Sequence, residues 1–251
     1  MTGIKDCLVV WHGCVQYSEA LDLQIQICES KKRGFAKDVL LLLEHPPTIT
    51  LGRSGKANHL LVSESYLKSH GVGLWNVDRG GDITFHGPGQ LVGYPILSLS
   101  AGERDVRGYM RNLEESLMRL LASYGIESRR DSQLTGVWTD QGKIAAMGVH
   151  ISRWITRHGF ALNVNTDLSF YDLIVPCGIS GRGVSSMKKQ LSHPVEMSDV
   201  AERYTQEFGI VFKRNLIRTS GRDLLNELRI HAESAGLSCD RIPPDAKVHS
   251  D

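Results

Sequence analysis

The chain has 251 residues, a formal net charge of +1, 41% hydrophobic and 23% charged residues. That length buries one sizeable core, and the composition excludes the disordered and membrane-spanning classes; the longest apolar run, Val39–Leu43, is only strand-sized. Near-zero charge excludes a global attraction to nucleic acid or anionic lipid, so an acidic partner would have to be met by a local patch.

Taken in order, Leu8–Trp11 reads as a first strand. Ser18 is placed to cap a helix running to about Arg33, with Leu21, Ile25 and Cys28 on one stripe and Gly34 as its stop. Val39–Glu44 is a continuous apolar strand expected to be buried on both faces, and Pro46-Pro47 breaks it before Thr48–Leu51 resumes. Gly52-Arg53-Ser54-Gly55-Lys56 lacks the glycine spacing and the final Ser/Thr of a phosphate loop, and reads as a basic loop.

Glu103–Tyr124 is the clearest helix, with Val106, Met110, Leu113, Leu117, Leu120 and Tyr124 on its apolar face, Arg104, Arg111, Glu115 and Arg119 on a solvated one, and Gly125 as terminator. Gly136–Trp138 and Lys143–Ile151 flank Thr139-Asp140-Gln141-Gly142, a hairpin that makes Lys143 the first residue after the turn. Gly159–Val164 is a further strand. Ser198–Phe208 and Ser220–Ala235 read as capped helices with a short strand, Ile210–Phe212, between them, and residues 236–251 as a loose tail. Hairpins mixed with crossovers predict an α+β fold, a mixed β-sheet flanked by helices, in a single domain over residues 1–235 with its motif core at 38–190.

Cysteines at 7, 14, 28, 177 and 239 are odd in number and lack paired close spacing, which fits free thiols in a reducing compartment. His12 and Cys14 lack two further ligands and read as a buried structural pair, so no metal is expected. With neither a signal peptide nor an Arg-rich presequence, a cytoplasmic protein is expected.

The stretch that organises the chain is Arg79–Tyr94. Its glycines let a ligand approach the backbone, and Arg79, Thr84 and His86 place donors beside it, between the apolar runs Leu74–Val77 and Leu91–Leu99. It reads as a strand, a polar turn and a second strand forming a pocket wall, with a solvent-facing glycine hairpin as the alternative. Together with Gly136-Val137-Trp138, Lys143–Gly148, His158–Asn163 and Pro176-Cys177-Gly178, this run resembles the octanoyl (lipoyl) transferase family over about residues 5–215.

The resemblance implies the catalytic fold of biotin and lipoate protein ligases. It also implies transfer of an octanoyl group from acyl carrier protein to a lysine of a lipoyl domain, on 2-oxoacid dehydrogenase E2 subunits and the glycine cleavage H protein, by a monomer without a cofactor. Cys177 matches the family's nucleophile and Lys143 its activating lysine, which as an ammonium favours the thiolate and afterwards accepts a proton from the attacking amine. The substrate wall it implies comprises Arg79, Gly80, Gly81, Asp82, Ile83, Thr84, Phe85 and His86, closed by Ala146, Met147, Gly148, Gly159, Phe160 and Ala161. The loop with Arg53 and Lys56 is expected near the entrance, facing an acidic carrier.

His86 and His158 are alternative bases, ranked below Lys143 as groups that orient their neighbours. Gly178–Gly183 does not have dinucleotide spacing. The rival functions are an ATP-dependent lipoate or biotin protein ligase, a non-catalytic docking scaffold and a thioesterase; a cysteine nucleophile at 177 argues against the first two.

Overall fold

Val39–Leu43 offers solvent no polar side chain on either face, and such a strand is stable only inside a sheet covered on both sides. In the computed structural model, which describes residues 4–175 and 182–234, this run lies in β2 (Asp38–Glu44), buried from Asp38 to Leu43. The chain continues from β1 (Lys5–Cys14) through α1 (Tyr17–Lys32), β2, β3 (Thr48–Leu51), α2 (Glu64–Ser69), β4 (Gly73–Asn76), β5 (Ile83–His86) and β6 (Gln90–Ile96). It then forms α3 (Val106–Ala122), β7 (Arg129–Arg130), β8 (Val137–Thr139), β9 (Gly142–Ser152) and β10 (Ile155–Asn163). The last elements are α4 (Met187–Leu191), α5 (Met197–Phe212), β11 (Arg214–Arg218) and α6 (Gly221–Ser234).

Eight strands make one mixed sheet in the order β11-β1-β2-β6-β10-β9-β8-β7, parallel where β1 meets its neighbours and antiparallel elsewhere. Side chains alternate across it. Val39, Leu41 and Leu43 meet α1 and α6, whereas Leu40 and Leu42 share a cluster with Phe160, α3 and α5. A smaller sheet, β4-β3-β5, has its own apolar cluster of Ile49, Leu67, Ile83, Phe85 and Tyr171.

Several expectations are corrected. Ser18 does not cap α1: Gln16 holds the N-cap position without a side-chain bond, and the buried face is Tyr17, Ala20, Gln24, Ile27, Cys28 and Lys31, with Ile25 exposed. Asp105, rather than Glu103, starts the long helix by accepting from Arg107 N, and Val106 is exposed. Ile210–Phe212 is helical. The buried face carrying Phe208 and Phe212 continues through it, and the strand begins only after Lys213 turns left-handed at φ 54°. Ser220 does cap α6. Cys14 is exposed, so the expected buried His12–Cys14 pair does not form.

The glycine-rich run is richer than one turn between two strands. Ile83–His86 is a strand paired with β3, and Gly87–Gly89 then carries the chain from the small sheet into the large one. The expected tail, residues 236–251, lies outside the described residues. Among the described residues no helix is long and apolar enough to cross a membrane.

Candidate active site

Lys143 stands directly after the β8–β9 turn, paired in register with Trp138, and is 9% exposed. Its Nζ lies 4.8 Å from the centroid of the Trp138 ring. Room for its stem comes from Gly136, at φ 132°, where a Cβ would meet Lys143 Cε at 3.2 Å. The chain resumes beside it after the undescribed segment: Lys143 N donates to Gly183 O and Ser185 N to Lys143 O, each at 2.9 Å. Cys177, with Pro176 and Gly178, lies outside the described residues.

Alternation in the small sheet sends Ile83 and Phe85 into its own core, where Phe85 stacks on Phe170 at 4.7 Å, and turns Thr84 and His86 to the opposite side with Thr50. Arg79 bridges the two sheets. Its Nη2 donates to Thr50 O and Thr50 Oγ1 at 2.8 and 2.9 Å, and its stem crosses β9 at Gly148, where a Cβ would sit 3.1 Å from Arg79 Cδ. Gly80 N donates to Val149 O at 2.9 Å. Asp82 serves the basic loop, pairing with His59 and accepting from Lys56 N.

His86 is buried, with Nδ1 2.9 Å from Gln90 Oε1 and Nε2 3.3 Å from Thr50 Oγ1. Burial pushes its pKa well down. His45 beside it is pushed down to about 4, again by burial, with only the Val15 carbonyl opposing. His158 takes a left-handed φ of 58°, donates its backbone N–H to Gln24 Oε1, and places Nε2 2.9 Å from Asp78 Oδ1. Burial lowers the His158 pKa, while its hydrogen bond holds the Asp78 carboxyl well below the usual range. Both directions describe a neutral imidazole donating to a carboxylate. Arg157 and His150 also face Asp78, and Arg53 Nη2 lies 3.0 Å from His150 Nδ1, so the basic loop does border this cluster.

Residues 146–150 are only half-buried although β9 is an interior strand. Gly148 faces Arg79 and Gly80, and Ala146 lies on the same face opposite Ala161. Met147 and Phe160 occupy the other face, in the cluster beneath α3 and α5, and the Phe160 ring lies over Gly93. The side chains of Met147 and Phe160 therefore point away from Arg79, and those of Ile83 and Phe85 into the core of the small sheet, which leaves their backbone as the part that can form the expected wall. The space at Gly148 and Gly159 is not vacant either, since a Cβ would fall 2.5 Å from Gly80 O in one case and 2.1 Å from Gly93 O in the other. Sequence reasoning missed Thr50, Asp78, Gln90 and Asn163. Gln90 and Asn163 are fully or nearly fully buried amides ending apolar strands, a signal that was available.

The model for the lipoyl protein ligase A/B catalytic domain matches residues 16–209. Relatives named octanoyltransferase include one from Solibacter usitatus, 49% identical over 83% of this chain and 94% of its own, and one from Caldicellulosiruptor saccharolyticus, 44% identical over 88% and 95%. Among solved structures, lipoate-protein ligase A bound with ATP superposes with a TM-score of 0.71 at 15% identity, covering 96% of this chain and 99% of that one. A bipartite lipoate protein ligase from Thermoplasma acidophilum gives 0.70 at 15%, covering 97% and 100%. At those identities the structures establish the fold, that of the lipoate-protein ligase catalytic domain, and the sequence relatives establish the family: the chain belongs to the octanoyltransferases within the lipoyl protein ligase A/B catalytic-domain family.

Proposed function

We propose that the protein transfers an octanoyl group from octanoyl acyl carrier protein to the ε-amine of a lipoyl-domain lysine, through a thioester on Cys177. The observation that carries this reading is the burial of Lys143 against Trp138, with the chain that follows the Cys177 segment hydrogen-bonded along its backbone. A lysine after a hairpin turn is ordinarily solvated; a buried one is suited to hold and move a proton.

In the first half-reaction the Cys177 thiolate, favoured by the Lys143 ammonium, attacks the octanoyl carbonyl. The carbon–sulfur bond to the carrier's arm breaks, and the departing thiolate takes the Lys143 proton. In the second, the acceptor lysine's amine attacks the Cys177 thioester, neutral Lys143 accepts the amine proton, and Sγ leaves as an amide forms. Thioester exchange is nearly thermoneutral and amide formation from a thioester is downhill, so ATP is not required. The acyl chain would lie along the face carrying Thr84, His86, Ala146 and Ala161, with Arg79–Gly81 beside it. The acceptors are lipoyl domains of 2-oxoacid dehydrogenase E2 subunits and glycine cleavage H protein.

The test supplies an apo lipoyl domain with octanoyl acyl carrier protein alone, or with free octanoate and ATP. Modification in the first mixture alone is expected; modification in the second alone would overturn the reading in favour of a ligase.

A further inference from the structure

Two backbone carbonyls orient the two buried amides that join β5, β6 and β10. Gln90 Nε2 lies 3.1 Å from Phe85 O, and Asn163 Nδ2 lies 3.1 Å from Ser185 O. A carbonyl oxygen only accepts, so both nitrogens are assigned by chemistry. Gln90 Oε1 therefore faces His86 Nδ1 at 2.9 Å, and Asn163 Oδ1 receives Gln90 Nε2 at 2.9 Å. His86 Nδ1 must carry a proton. Burial keeps the ring neutral, so Nε2 accepts from the Thr50 hydroxyl, whose oxygen accepts from Arg79 Nη2. Every bond then runs one way, from the Arg79 guanidinium through Thr50, His86, Gln90 and Asn163 to the Ser185 carbonyl.

The final acceptor sits beside Lys143, because Ser185 N donates to Lys143 O at 2.9 Å. The geometry points to Asn163 and Gln90 as positioning residues that tie the Arg79 wall to the strand bearing Lys143 and hold His86 as its neutral Nδ1–H tautomer, an acceptor for Thr50 and not a base. The kinetic part of this inference rests on the transfer reaction proposed above; the tautomer and the Ser185 contact do not.

Long-range 1H–15N NMR of the full chain should find His86 protonated at Nδ1 at neutral pH. Asn163→Asp keeps the acceptor for Gln90 but puts a carboxylate against Ser185 O, so exchange of the Ser185 amide should quicken roughly tenfold while α3 amides change much less. Gln90→Glu offers His86 a carboxylate and should give a doubly protonated ring at neutral pH. Both variants should lower kcat by roughly tenfold with the carrier KM changed by less than about threefold. A wild-type His86 bearing its proton on Nε2, or unchanged Ser185 exchange in Asn163→Asp, would overturn the inference; if that variant does not fold, a neutral His86 in Gln90→Glu would do so. A wild type with the Nδ1–H signature but no transfer overturns the proposed reaction and leaves the relay standing.

Discussion

Lys143 and Trp138 face each other across the β8–β9 hairpin, with the ammonium 4.8 Å from the indole centroid and both side chains buried. The Arg182 guanidinium lies 5.6 Å from the same ring, so the indole is shared by two cations. A desolvated cation over an indole is worth about 2 kcal/mol. Trp138→Leu should therefore lower transfer by roughly tenfold or more, and Trp138→Phe by less, since phenyl keeps part of the attraction. Steady-state transfer rates check this; equal rates for the two variants would remove the ring from the account.

Gly148→Ala tests the joint between the sheets. The added methyl would lie 2.5 Å from the Gly80 carbonyl oxygen and 3.1 Å from Arg79 Cδ, so the Arg79-Gly80 segment must shift to admit it. A cost of about 1–3 kcal/mol is expected in urea unfolding, with a fall in transfer as Arg79 moves off Thr50. Gly102→Ala, where a Cβ meets nothing within 4 Å, is the neutral control.

Acid should weaken the fold through its buried histidines. His45 is held between Val15 O and Tyr94 OH, and burial lowers its pKa from 6.5 to about 4. The unfolded chain gains this proton as pH falls through 6.5, while the folded chain resists until about 4. The stabilisation is thus complete above 6.5 and is lost as pH drops towards 4, amounting to about 2 kcal/mol by about pH 5. His86 and His158 are shifted in the same direction and add to the loss. Urea unfolding at neutral pH and near pH 5 checks this, and His45→Gln should flatten the dependence.

Asp38 neutralises two buried cations. Its Oδ1 accepts from Lys31 Nζ and its Oδ2 from Arg214 Nε, both at 2.8 Å, tying α1 and β11 to β2. Asp38→Ala leaves the buried Lys31 ammonium without a carboxylate and Arg214 with Glu103 alone, and should cost about 3 kcal/mol by urea unfolding.

How much of this was legible in the sequence depended on whether a residue's role was local. Val39–Leu43 and the hairpin presenting Lys143 carried their own patterns and formed as expected. The sides taken by Met147 and Phe160 required knowing which face of β9 and β10 meets Arg79, a tertiary fact that alternation alone does not supply. Ile210–Phe212 misled because β-branched residues suit strands locally, while packing of Phe208 and Phe212 extends the helix. Thr50, Gln90 and Asn163 are polar residues in apolar strands; Gln90 meets His86 four residues away, but the links from Thr50 to His86 and Arg79, and from Asn163 to Gln90 and Ser185, are distant in sequence, so only the fold joins them.

The most direct test of the central claim is intact mass after mixing the protein with octanoyl acyl carrier protein without ATP, for wild type and Cys177→Ser. The account predicts one octanoyl group on the wild type, released by hydroxylamine and lost on adding an apo lipoyl domain, and no thioester on the variant. A wild type that stays unmodified while still octanoylating the lipoyl domain would contradict it, because transfer would then bypass the Cys177 thioester.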